Sequence, residues 1–150
     1  MRRNSRPTVI IGGTESDAHV VSIYIAAYML EQHGYDVVNL SCQNKTRAFF
    51  AANHVSSDVI ACIICNQNGH ARDDLRDLPE CRVPGLPVAL AGHYTLGTHN
   101  RAEQIASLQA LGVDHFLDSL EQLPVLLEEL AEQRCVARQP GKMEVLAHGI

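Results

Sequence analysis

The stretch Val59-Ile60-Ala61-Cys62-Ile63-Ile64-Cys65 most constrains this chain. Its residues are apolar throughout, with no polar alternation. A strand with one wet face alternates, whereas a strand covered on both faces does not. Such a run predicts the centre of a parallel sheet with helices on either side. Four further segments read as strands of the same sheet. Thr8-Val9-Ile10-Ile11 is short, β-branched and ended by Gly12-Gly13. Asp36 to Leu40, Pro87 to Ala91 and Val113 to Leu117 complete the set.

Helical patterns lie between them. Val20, Ile23, Tyr24, Ala27, Met29 and Leu30 recur near helical spacing from about Ala18 to Gln32, and Gly34 gives a stop. Asn44 is placed to cap a helix of about Lys45 to Asn53. A short helical stretch runs near Asp73 to Leu78, and longer ones cover Arg101 to Leu111 and Leu120 to Arg134. Alternating strands and helices predict right-handed crossovers. The fold class is α/β: one doubly wound, flavodoxin-like (Rossmann-like) domain with a five-stranded parallel sheet in the order 2-1-3-4-5. At 150 residues the chain has the length of one domain. The organisation expected is a flexible N-terminus over 1–7, the domain over 8–135 and a tail over 136–150.

Composition narrows the functions. The net charge of -5 disfavours a phosphate backbone as partner, so no nucleic acid is expected. No apolar run approaches the length of a membrane span, so no membrane is expected. The five cysteines are an odd number, and no secretory signal follows the basic start, Met1-Arg2-Arg3. Both point to a reducing, cytoplasmic setting. Cys62 and Cys65 stand three apart in a strand and so point to opposite faces, which argues against a shared metal or disulfide.

In doubly wound sheets, ligands bind beyond the carboxyl ends of the strands, where the strand order reverses. The loops Gly12 to Ala18, Asn66 to Ala71 and Gly92 to Asn100 meet there. The first contains Asp17-Ala18-His19. An imidazole gives one nitrogen to a metal while a carboxylate accepts the N–H of the other, fixing the tautomer. The plainer alternative makes Asp17 a helix cap and His19 a first-turn surface residue. His70, His93 and His99 share that edge and offer a histidine-lined metal site as a further alternative. Gly12-Gly13 lacks the rest of a dinucleotide fingerprint.

Ser16-Asp17-Ala18-His19-Val20-Val21, after a strand and a Gly-rich turn, resembles the Asp-x-His-x-x-Gly signature of cobalamin-dependent mutases and methyltransferases. Within that group it is most similar to the small (sigma) subunits of glutamate mutase. Glu31-Gln32-His33-Gly34-Tyr35, Asp36 to Leu40 and Ser57-Asp58-Val59-Ile60 extend the likeness over roughly Thr8 to Leu130. The resemblance implies a B12-binding subunit of an isomerase, holding adenosylcobalamin with the nucleotide base displaced and His19 as the axial cobalt ligand. Asp17 would hold the other side of that ring. The displaced tail would enter a channel beside the first strand.

By position, the remaining cofactor-binding residues are Ser22, Cys65, Asn66, Gly92 and His93. Here the chain departs from the family. Ser22 stands where the signature has Gly. Cys62 to Asn66 lacks the Ser of a Ser-x-Leu motif. Gly92-His93 replaces a Gly-Gly pair, which would direct a large side chain toward the channel. The resemblance further implies a large barrel-type partner subunit and interconversion of glutamate and 3-methylaspartate. The departures suit a second reading, a protein that kept the fold, lost the cofactor and serves as a scaffold or regulatory partner.

Overall fold

The computed structural model describes residues 6–97 and 100–138. Its strands are β1 (Thr8–Gly13), β2 (Asp36–Asn39), β3 (Val59–Asn66), β4 (Val88–Gly92) and β5 (His115–Leu117). They form one sheet in the order β2-β1-β3-β4-β5, every neighbouring pair parallel. Ile10 pairs with Val38 on one side and Cys62 on the other, so β1 lies inside the sheet. The order reverses between β1 and β3, and their carboxyl ends open on the same edge.

Both faces are covered, as the apolar run demands. Ala61, Ile63 and Cys65 pack with Ile23, Ala27 and Leu30 of α1 (Val21–Gln32) and Leu123 and Leu127 of α6 (Gln122–Ala137). Cys62 and Ile64 face the other way, toward Phe49 of α2 (Thr46–Ala51) and Leu108 of α5 (Arg101–Leu111). Cys62 and Cys65 thus belong to two separate cores. Gly112 closes α5 at φ 119°, a left-handed conformation that a side chain would strain.

Several boundaries differ from expectation. The first helix starts at Val21, not Ala18, which leaves Asp17 to Val20 in a loop. Asn44 caps no helix; its amide donates to the carbonyls of Gly13 and Ser41, tying the β1 and β2 exits together. The stretch near Asp73 to Leu78 is broken into two single turns, α3 (Ala71–Asp74) and α4 (Leu78–Cys81), because Leu75 to Asp77 leave the helical path before Pro79. The last helix continues to Ala137, past the expected end at Arg134. The flexible start expected over 1–7 lies mostly outside the described residues, and Pro7 is tied in by its carbonyl, which accepts from Asp36 N–H.

Candidate ligand site at the β1–β3 switch point

The loop after β1 folds back on itself: Asp17 N–H donates to the Thr14 carbonyl at 3.1 Å. This turn carries the Asp17 side chain inward, where the residue is 2 % exposed. The next loop residues turn outward, and the His19 side chain is 64 % exposed. Asp17 Oδ1 lies 2.6 Å from His19 Nδ1 and accepts the His19 backbone N–H at 3.0 Å. The other oxygen, Oδ2, accepts the backbone N–H of Gln67 from the loop after β3. Asp17 is therefore no helix cap. Val20 holds that position without a side-chain bond, and the carboxylate's acceptors serve His19 and Gln67.

Burial alone would raise the Asp17 pKa. The hydrogen bonds from the His19 and Gln67 backbones and the His19 ring outweigh it and hold the carboxyl below its ordinary value. The carboxylate is thus ionised at neutral pH. An ionised carboxylate only accepts, so Nδ1 carries a ring proton, and in the neutral ring the lone pair is then on Nε2. That is the donor arrangement of a single-histidine metal ligand with a fixed tautomer.

The crevice between the β1 and β3 exits is stitched. Thr14 N–H donates to the Cys65 carbonyl at 3.1 Å. Asn66, fully buried, donates from Nδ2 to Thr14 Oγ1 at 2.8 Å and to Asn68 Oδ1 at 2.9 Å, while its Oδ1 accepts Gly69 N–H at 3.0 Å. Asn68 in turn donates to Ser16 Oγ, which donates to Asp74. Gly92, at φ 110°, lies under the Gln67 side chain; a Cβ there would stand 2.7 Å from Gln67 Nε2.

The candidate residues thus fall into three groups. Asp17 and His19 form a pair. Asn66, Cys65 and Gly92 line the stitched crevice, where the Cys65 thiol is pushed up to about 12 by burial and then by the Asp17 charge. Ser22 and His93 stand apart. The Ser22 hydroxyl is buried in the first turn of α1 without a hydrogen-bond partner among the described residues. His93 is exposed, not directed inward; the Gln67 side chain takes the space over Gly92. Among the described residues no three His, Cys, Asp or Glu side chains cluster to hold a metal, and His99 lies outside them. Gln67 went unnoticed in the sequence, since its role rests on a backbone N–H that any residue but proline would supply.

Comparison with solved structures gives the class. A cobalamin-binding protein from Desulfitobacterium hafniense superposes with a TM-score of 0.66 at 16 % identity, covering 84 % of this chain and 60 % of that one. The methanol:cobalamin methyltransferase complex of Methanosarcina barkeri follows at 0.60 and 20 % identity, covering 83 % of this chain and 46 % of that one. This chain shares its fold with these two proteins.

No family model matches the chain. Glutamate mutase sigma subunit 1 of Haloarcula marismortui is 34 % identical over 128 residues, covering 83 % of this chain and 84 % of the relative. The chain belongs to the glutamate mutase sigma subunit family.

Proposed function

We propose that this chain is the cobalamin-binding small subunit of an adenosylcobalamin-dependent carbon-skeleton mutase of the glutamate mutase type. The observation that carries the reading is the Asp17–His19 pair, buried at the carboxylate and open at Nε2. Family membership supplies the cofactor class. His19, with its Nδ1 tied to Asp17 on a loop at the open end of the sheet, would hold the cobalt of a corrinoid.

When bound, adenosylcobalamin would supply the radical chemistry of the rearrangement, here of glutamate to 3-methylaspartate. The chain's own residues orient and tune. Asp17 holds the ring proton at Nδ1 and turns Nε2 outward. Gln67 N–H holds Asp17 from the far side, so the ring's position depends on both loops. We assign substrate binding to a separate large barrel-type subunit, so the chain alone is expected to be inactive. An exposed apolar stripe, Val21, Tyr24, Ile25 and Tyr28, starts two residues after His19 and suits such a partner. No helix among the described residues is long and apolar enough to cross a membrane.

Visible-absorbance titration with hydroxocobalamin tests the reading. A saturable shift to a histidine-ligated spectrum is expected. An unchanged spectrum at millimolar cobalamin would overturn it in favour of the cofactor-free scaffold.

A further inference from the structure

Cobalamin carries its own lower ligand, a base tethered to the corrin through a nucleotide. For His19 to reach the cobalt, that base must leave and be housed. A corrinoid without the nucleotide, cobinamide, has only water on that face. The structure bears on which of the two this site accepts.

Three features fill the place where a tail would enter between the strand ends. The β1 and β3 exits are joined by Thr14 N–H to Cys65 O, by Asn66 Nδ2 to Thr14 Oγ1 and by Gln67 N–H to Asp17. The end of β1 is walled in: a Cβ on Gly12 would stand 3.0 Å from Leu40 Cβ and 3.1 Å from Phe49, and one on Gly13 would stand 3.1 Å from Ile23 Cδ1. The β3 and β4 exits also close on each other. A Cβ on Gly92 would collide with the Asn66 backbone carbonyl and stand 2.7 Å from Gln67 Nε2. Ile63 and Ile64, along β3, are fully buried in the two cores. Admitting a nucleotide there means breaking the Asn66 network and leaving its buried donors and acceptors unpaired. His19 meanwhile stays open.

We infer that this site grips corrinoids by the cobalt face alone, through His19, and favours those that lack a tethered lower base. The inference rests on the proposed corrinoid role. In both cases a bond forms between His19 Nε2 and cobalt. With cobinamide the bond that breaks is to water, which departs into solvent. With cobalamin it is to the tethered base, which stays attached and finds no slot.

The test is a pair of absorbance titrations of the full chain, one with hydroxocobalamin and one with diaquocobinamide, repeated on His19→Ala. The expected result is a ratio of Kd values, cobalamin over cobinamide, well above one, with the cobinamide complex lost in His19→Ala. A ratio of one or below overturns the inference and leaves the cobalamin-binding role standing. Cobinamide binding that survives in His19→Ala also overturns it. Failure of both ligands to bind overturns the inference together with the role it rests on.

Discussion

Asp17 grips His19 twice through a single oxygen: Oδ1 lies 2.6 Å from the ring Nδ1 and 3.0 Å from the His19 backbone nitrogen. The carboxylate is buried and the ring is exposed, so the rigid partner belongs to the fold and the free nitrogen to the solvent edge. Asp17→Asn keeps an acceptor of the same shape but loses the charge that makes Nε2 a better donor. Its affinity for hydroxocobalamin should fall by about 10–100-fold with the fold retained, read by absorbance titration and circular dichroism. Unchanged affinity would separate Asp17 from the ligand's electronics.

Asn66 should matter to stability. Asn66→Ala leaves Thr14 Oγ1 and Gly69 N–H without their buried partner, a loss of about 1–3 kcal/mol in urea unfolding. A midpoint equal to that of the wild type would mean that water replaces the amide.

Ser22 carries the opposite sign. Its hydroxyl is buried and unpartnered among the described residues, and it sits in the first turn of α1. Ser22→Ala removes an unsatisfied group and improves helix propensity, so a gain of about 1 kcal/mol is expected in the same assay. A loss of stability would show that the hydroxyl is satisfied in solution.

The cysteines should separate by reactivity toward a thiol reagent such as Ellman's. Cys135 is exposed and should react first. Burial pushes the Cys62 thiol up, and Cys65 is pushed up to about 12, so both should stay unmodified until the protein unfolds. Rapid labelling of either in the native state would contradict the two-faced burial of β3.

The sheet was legible because its cause is local. An unbroken apolar run at Val59 to Cys65 has one economical use, and the stops at Gly34 and Gly112 mark where helices end. The Asp17–His19 pair was legible for the same reason, two residues apart in one loop. The stitching was not. Asn66 meets Thr14 across 52 positions, and Gln67 meets Asp17 across 50, through groups that no local pattern marks. Asn44 misled because asparagine serves equally as a helix cap or a loop tie, and here it ties the β1 and β2 exits. The two faces of α1 were equally hidden. Tyr24 fits the helical spacing of the core, yet it lies 55 % exposed beside Val21, Ile25 and Tyr28.

The central claim is that His19 Nε2 is the chain's bond to cobalt. The most direct measurement is the visible spectrum of His19→Ala mixed with hydroxocobalamin, beside the wild type at equal concentration. The account predicts that the wild type gives a histidine-ligated spectrum and that His19→Ala either does not bind or binds without that signature. The same histidine-ligated spectrum from both proteins would contradict it.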